Sequence, residues 1–237
     1  MKIALLRVGI DKGCGRVLGP LFEDKSFEFI PIPDENDWDE RTYSTIKGRH
    51  GRRLLEYFPV KRHDAMGSQS IHVDPEFSTF TYGDPTRPKA GLRKLEAGDI
   101  LAFYCGLEGW SCTAKPALYL IGHFEIRAAG IATDFSEHEI RDLFAANSHV
   151  RHKSIYRHQR DRLVLVKGSK KSRLLEKARL ISTKGRNSLG RPLDILSREM
   201  QKVFGNFSEK NSLERARPCW VDPDHIKEAA RFIRSLP

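Results

Sequence analysis

The sequence predicts an α+β fold, or an irregular α/β fold, in which a mixed sheet or partial barrel is flanked by helices. Apolar runs typical of strands and amphipathic runs typical of helices both occur, but they do not alternate as regular strand–helix–strand units. The chain has 237 residues, which suits one large domain or two small ones. No apolar run approaches the ~18 residues that indicate a membrane-spanning helix.

The N-terminal third is predicted to contain strands joined by ordered loops. Residues 2–8 are apolar and partly β-branched, which indicates a buried strand, and the glycines of residues 9–15 indicate a turn after it. Residues 19–30 predict a hairpin, while the acidic residues 34–40 predict a surface loop. Residues 64–90 have an irregular pattern, and long loops of this kind are often functional.

The middle of the chain predicts two strong strands and one well-defined helix. Residues 99–105 and 117–126 are apolar and rich in aromatic and β-branched side chains, as strands are. Ser136 is the predicted N-cap of the helix, because Glu139 occupies the position that completes a capping box.

The C-terminal part is predicted to mix a strand with three helices. Residues 162–166 indicate the strand, and Ser169 is predicted to begin a helix that runs through Ala178. The apolar spacing over residues 192–204 predicts a second helix. Asp222, which is followed by proline, predicts the start of the last helix.

Positive charge is concentrated in one segment of the chain. Residues 149–217 contain 19 Lys and Arg against 6 Asp and Glu, whereas residues 1–148 contain 19 against 22. A concentrated basic surface attracts polyanions, and this segment also has the apolar periodicity of a folded chain. We therefore predict a nucleic-acid partner, with a solvated basic face as the alternative.

This asymmetry suggests an organisation in two parts. Residues 1–148 form an α+β part with the candidate nucleotide site, and residues 149–237 form a basic part that packs on it within one continuous domain. The four cysteines do not make a disulfide framework, and their spacing falls short of a zinc site. A cytoplasmic protein without a membrane segment is therefore expected, and the sequence identifies no cofactor and no metal-ligand set.

The first candidate site is the glycine-rich turn after the first strand. Backbone N–H groups in such a turn can approach a phosphate closely. Arg7 would contact the ligand, and Asp11 would act as a catalytic residue or bind a metal or a sugar hydroxyl. The spacing matches neither the dinucleotide fingerprint nor the P-loop, so an ordinary turn between strands is the alternative.

The second candidate site lies in the long loop. His72, Asp74 and Asp84 supply an imidazole and two carboxylates, which suit acid–base chemistry or the ligation of Mg²⁺ or Mn²⁺. Tyr82 could stack on a base. Because each of these aspartates precedes a proline, Asx-turn formation is the structural alternative.

The third candidate site opens the basic segment. Asn147 is predicted to hydrogen-bond a base edge, and His149 and Arg151 to contact phosphate. The alternative is a helix C-cap followed by an exposed basic turn.

The fourth candidate is an anion site at the N-terminus of the helix predicted from Ser169. Free backbone N–H groups, the helix dipole and nearby lysines would act together on a phosphate. The residues assigned to it are Lys167, Gly168, Ser169, Lys170 and Ser172.

The chain resembles the nucleotide modification associated domain 3 family. The most specific element is the Ile-Pro-Ile-Pro-Asp motif at residues 30–34 with the upstream Gly-x-Asp. The resemblance is carried by residues 1–11, 19–22, 29–34, 72–75, 82–84, 98–104 and 122–124. It implies a genomic association with enzymes that modify bases in phage and bacterial DNA, but it implies no particular reaction.

A second resemblance is confined to residues 98–126. A Gly-Asp turn, a strand that ends in Phe-Tyr and a strand that reads Ile-Gly-His-Phe-Glu-Ile are similar to the pseudouridine-synthase-and-archaeosine-transglycosylase-like barrels. That resemblance implies binding of RNA or of a modified base.

Together these features predict a nucleic-acid-binding protein that acts on or recognises a nucleotide or modified base, with DNA favoured over RNA. Enzymatic DNA modification would use the candidate catalytic residues Asp11, His72, Asp74 and Asp84. One alternative is a non-catalytic reader, in which Tyr82 or Tyr104 stacks on a flipped base. The other is a nuclease with Asp74 and Asp84 on a metal.

Overall fold

A mixed, open sheet forms the centre of the molecule. The computed structural model describes residues 1–34, 40–186, 188–207, 212–213 and 215–237. Its described strands form one sheet of eight members and two small two-stranded sheets, with helices around them, which confirms the α+β class. The large sheet is not closed into a barrel. Most of the predicted acidic loop, residues 35–39, lies outside the described residues.

The described strands are β1 (Ile3–Arg7), β2 (Gly19–Leu21), β3 (Ile32–Pro33), β4 (Ile71–His72), β5 (Thr81–Asp84), β6 (Ile100–Gly109), β7 (Ala117–Ile131), β8 (Val164–Gly168), β9 (Arg173–Leu180), β10 (Ser182–Arg186), β11 (Pro192–Leu196) and β12 (Cys219–Trp220). The α-helices are α1 (His63–Gly67), α2 (Glu137–Phe144), α3 (Ser148–Arg151), α4 (Lys153–Gln159), α5 (Arg198–Phe204) and α6 (Ile226–Ser235). Short 3₁₀ helices cover Leu54–Tyr57, Val60–Arg62, Arg87–Lys94, Ala132–Asp134 and Pro223–His225.

β6 and β7 lie at the centre of the sheet because most of their side chains are apolar and buried. They pair antiparallel with Phe103 opposite Gly122, and β1 runs parallel to β6 on its other side. A Cβ at Gly122 would lie 2.7 Å from the ring of Phe77, so glycine there makes room for that ring. The rings of Phe77, Phe103 and Phe124 then pack edge-to-face and fill the middle of the core.

Strands from both predicted parts of the chain contribute to this sheet. β8 and β9 come from the basic part and pair antiparallel with successive stretches of β7. β8 also pairs with β5, and β12 pairs with β1. The two parts are therefore interleaved in a single sheet.

The prediction of a helix from Ser169 is wrong, because residues 173–180 form β9. β7 offers hydrogen-bonding groups to this segment, and Leu175 and Ala178 are buried against the core. Ser169 lies in the preceding turn, where its N–H donates to the carbonyl of Glu125 at 2.7 Å. Sheet pairing has overridden the local helix signal.

The helix predicted over residues 192–204 is correct only in its second half. Residues 192–196 form β11, which pairs antiparallel with β10. Ser197 is the N-cap of α5, and its Oγ accepts the N–H of Met200 at 3.3 Å. The apolar spacing of this segment is therefore shared between a short strand and a helix.

Local capping signals predicted the other helix starts more accurately. Ser136 and Glu139 form the reciprocal capping box of α2, with distances of 3.2 and 2.8 Å. At the last helix, a 3₁₀ turn at Pro223–His225 precedes α6, so the α-helix begins later than predicted. None of the described helices combines the length and apolar character that a membrane crossing requires.

Candidate functional site

The fold gathers two histidines and an aspartate at one buried point. His72 ends β4, Asp74 follows two residues later, and His149 belongs to α3. Nε2 of His72 lies 3.9 Å from Oδ2 of Asp74, and Nε2 of His149 lies 3.8 Å from the same oxygen. The two imidazole rings meet edge-to-face with centroids 4.8 Å apart. We call these three residues the His–Asp cluster.

β5 holds the carboxylate of Asp74 in place. The sequence pattern of the long loop did not predict this strand, which is fixed by its pairing with β8. The N–H of Gly83 donates to Oδ2 of Asp74 at 2.9 Å, and Nδ2 of Asn147 lies 3.4 Å from the same atom. Oδ1 of Asp74 is buried and has no hydrogen-bond partner among the described residues. A buried carboxylate oxygen without a partner is uncommon and calls for a reason.

Oxygen atoms outside the cluster orient both histidines in the same way. Nδ1 of His72 lies 3.4 Å from Oδ2 of Asp34, and Nδ1 of His149 lies 2.8 Å from Oε1 of Gln159. Because both acceptors engage Nδ1, each ring presents Nε2 to Asp74.

Burial controls the charges of the cluster. It raises the pKa of Asp74 to about 8, although the charge of His72 opposes the rise. It lowers the pKa of His149 to about 4, so that imidazole is neutral at neutral pH. For His72, burial also acts to lower the pKa, but the hydrogen bond to Asp34 and the charge of Asp74 outweigh it and the pKa is raised.

Asn147 positions α3 and is closed off from solvent. Its side chain caps α3 by accepting the N–H of His149 at 3.1 Å, and the residue is fully buried. Ser148 adds a hydrogen bond from its Oγ to the carbonyl of Val73 at 2.9 Å. The structure therefore places Asn147 behind the cluster, where a base edge does not reach it.

We expect the Gly83→Ala variant to disrupt the cluster. A Cβ at this position would lie 2.8 Å from Oδ1 of Asn147 and 3.1 Å from Cδ2 of His149, so both side chains would have to move. Overpacking of this kind costs about 1–3 kcal/mol of folding free energy, measurable by urea denaturation. Gly91→Ala is the matched control, because its Cβ would be 3.8 Å from Trp220, an ordinary contact. Equal stability of the two variants would contradict the tight packing around Gly83.

Asp84 borders the cluster but is engaged elsewhere. Its Oδ2 accepts the Nζ of Lys89 at 2.7 Å and the hydroxyl of Tyr82 at 3.1 Å, and its Oδ1 accepts the N–H of Thr86 at 2.7 Å. Burial acts to raise the pKa of Asp84, but Lys89 and the hydrogen bonds from Thr86 lower it overall. Asp84 therefore adds negative charge near the histidines without facing Asp74 as a paired metal ligand.

Neither tyrosine proposed for base stacking is accessible. Tyr104 is fully buried, and Tyr82 is 3% exposed with its ring packed against Phe103. Both rings belong to the hydrophobic core at the centre of the molecule.

Asp11 belongs to a different set of contacts from the other predicted catalytic residues. Arg215 donates to Oδ2 of Asp11 at 2.6 Å and to the carbonyl of Gly9 at 2.9 Å, and Arg7 lies 3.5 Å from the same Oδ2. Burial acts to raise the pKa of Asp11, but the charge of Arg215 lowers it overall. Arg7 and Asp11 line a cleft of about 220 Å³.

The anion site predicted at the Ser169 turn loses its physical basis. No helix begins there, and the N–H groups of Ser169 and Ser172 are already bonded. Gly168 donates its N–H to the carbonyl of Phe80, and Lys167 donates its Nζ to the carbonyl of Thr79. Lys170 remains exposed at the tip of the turn, and Arg151 is exposed at the end of α3.

A second surface feature begins where β5 ends. A cleft of about 520 Å³ is lined by Arg87, Arg93 and Arg162 together with Pro85 and Asp161. Within the described part of the chain, the three arginines are exposed and none forms an ion pair. We call this cleft the arginine groove. Only Arg162 comes from the basic segment, since a 3₁₀ helix of the N-terminal part contributes the other two.

Sequence reasoning missed three residues that support these features. Asp34 and Gln159 orient the histidines, and Arg215 clamps Asp11 to the glycine-rich turn. For Asp34 the sequence did contain an indication, since this residue is the last of the Ile-Pro-Ile-Pro-Asp motif. The other two are ordinary polar residues in sequence, and only the fold brings them into position.

Comparison with known proteins adds a family assignment. The family model described as nucleotide modification associated domain 3 matches residues 2–232. No curated protein and no solved structure matches the chain.

Proposed function

Because the chain belongs to the nucleotide modification associated domain 3 family, we propose that it is an enzyme that modifies a nucleotide within nucleic acid. In this proposal the His–Asp cluster is the reaction centre and the arginine groove binds the phosphate backbone. DNA is favoured over RNA because the family resemblance implies a setting of DNA base modification.

The observation that carries the proposal is the adjacency of the two features along β5. Gly83 donates its N–H to Asp74 of the cluster, and Pro85 lines the groove. Two residues of extended chain span only about 7 Å, so the groove begins close to the cluster.

The cluster has the groups that proton transfer to and from a substrate requires. A carboxyl group whose pKa is raised to about 8 and an imidazole that is neutral at neutral pH share a site that is largely closed to water, where electrostatic interactions are strong. The groove supplies three guanidinium groups that form no ion pair with any residue the structure describes, and guanidinium groups bind phosphate through parallel hydrogen bonds. The reader alternative has less support, because the rings that it needs for stacking are buried.

We expect a triple variant of Arg87, Arg93 and Arg162 to alanine to bind duplex DNA more weakly and with less dependence on salt. Each phosphate contact contributes a slope of about 0.9 in log affinity against log salt concentration. Fluorescence anisotropy with a labelled duplex between about 50 and 200 mM salt measures this slope.

The matched control removes the same charge outside the groove. Lys61, Lys115 and Lys227 are exposed and line none of the clefts described above, so their triple alanine variant should keep most of the slope. If the salt dependence of binding falls by the same amount in both triple variants, the binding is non-specific and the groove has no special role. If the unmodified protein does not bind nucleic acid at low salt, the proposed function fails.

A further inference from the structure

We propose that the His–Asp cluster binds one divalent first-row transition-metal ion through Nε2 of His72, Nε2 of His149 and the carboxylate of Asp74. The role of the ion in a reaction rests on the proposed function, whereas its binding rests on the geometry of these side chains alone.

The three donor groups are close to the arrangement that a metal ion requires. One ligand atom from each lies within 4.8 Å of the others, and the two nitrogen–oxygen separations are 3.8 and 3.9 Å. Ligands on a tetrahedral ion at bond lengths of about 2.0–2.1 Å lie roughly 3.3 Å apart. The two nitrogen–oxygen separations exceed this value by about half an ångström, and the largest separation in the set exceeds it by up to about 1.5 Å, so movements of these side chains close the site.

The surroundings of the histidines provide the second argument. A histidine that binds a metal usually donates its other ring N–H to a carboxylate or carbonyl, which fixes the ring and its tautomer. Here Asp34 engages His72 and Gln159 engages His149, each at Nδ1. Two independent elements of the fold thus direct both Nε2 lone pairs toward the same carboxylate.

The third argument is the unsatisfied oxygen of Asp74. The side chain is 3% exposed, and within the described residues Oδ1 has no donor. Both Nε2 atoms approach the other oxygen, Oδ2, which accepts the N–H of Gly83. A carboxylate whose second oxygen is buried without a donor among the described residues is unfavourable unless a cation lies beside it. A metal ion satisfies the oxygen and both nitrogens together.

The donor set determines the class of ion. Two imidazoles and one carboxylate suit Zn²⁺, Fe²⁺, Co²⁺ and Ni²⁺ better than Mg²⁺ or Ca²⁺, which prefer oxygen ligands. Three protein ligands leave at least one position open for water or substrate, as catalytic sites do. This assignment differs from the Mg²⁺ or Mn²⁺ site considered from the sequence, because His149 replaces Asp84 as the third ligand.

The test is titration of the chelator-treated full chain with Co²⁺ and then with Zn²⁺. We expect one Co²⁺ per chain, seen as a visible absorption band that Zn²⁺ displaces and excess Mg²⁺ does not. His72→Ala, His149→Ala and Asp74→Asn should each weaken Co²⁺ binding by about 100-fold or more, and Gln159→Ala by about 10-fold. His158→Ala is the matched control, because His158 is exposed on α4 beside Gln159 and should leave binding unchanged.

Absence of stoichiometric Co²⁺ and Zn²⁺ binding to the unmodified protein would overturn the inference, and this measurement does not depend on whether the variants fold. Equal weakening by His158→Ala and His149→Ala would also overturn it, since the ion would then bind surface histidines. Metal binding without any effect on nucleic acid would support this inference and contradict the proposed function. Full nucleotide-modifying activity in protein that binds no metal would support the proposed function and contradict this inference.

Discussion

The Asp74→Asn variant is expected to lose nucleotide-modifying activity by about 100-fold or more while remaining folded. The amide oxygen can still accept the N–H of Gly83, so the hydrogen bond that positions the side chain survives. The ionisable carboxyl group that faces His72 and His149 is lost, and with it the ability to exchange a proton or bind a metal ion there. The yield of modified nucleoside at equal protein concentration measures the effect.

Asp142→Asn is the control for this variant. Asp142 lies on α2 with its side chain 55% exposed, so the same chemical change is made at the surface and not in the buried cluster. Its activity should equal that of the unmodified protein. If Asp74→Asn keeps full activity, the His–Asp cluster is not the reaction centre.

The Phe103→Ala variant should have the largest effect on stability. Phe103 is fully buried on the central strand β6, and its ring packs against Phe124 at 4.6 Å, Phe77 at 5.5 Å and Tyr82 at 6.0 Å between centroids. Truncation of a buried phenylalanine costs about 3–5 kcal/mol, through lost burial and the cavity that remains. Because domains are stable by only about 5–15 kcal/mol, we expect a large fall in the urea midpoint.

An exposed apolar residue gives the comparison for Phe103. Val60 is 81% exposed, so Val60→Ala should change the free energy of unfolding by less than about 0.5 kcal/mol. A loss below about 1 kcal/mol in Phe103→Ala would mean that the three-ring packing at the centre of the sheet is incorrect.

The predicted strands at residues 2–8, 99–105 and 117–126 are confirmed because their apolar patterns are continuous and strong. The segment after Ser169 was misassigned because a serine before a run of leucines and lysines suits a helix N-terminus equally well. The segment becomes a strand because it pairs with the edge of β7. The sequence pattern of the segment does not show that this strand edge is available for pairing.

The candidate site was predicted in part for a similar reason. His72, Asp74 and Asp84 are close in sequence, and the fold of the segment that joins them keeps them close in space. His149 was assigned to phosphate contact, and its approach to Asp74 depends on the packing of α3 against β5. Asp11 was grouped with them from residue type alone, and the fold pairs it with Arg215, 204 positions away in the chain.

The most direct test of the central claim is untargeted mass spectrometry of nucleosides from the DNA and RNA of cells that naturally make this protein. Cells with the unmodified protein, with Asp74→Asn and without the protein should be compared. The account predicts a nucleoside that is present only with the unmodified protein, or an unmodified precursor that accumulates in the other two. Identical nucleoside profiles in all three would contradict a nucleotide-modifying enzyme centred on His72, Asp74 and His149.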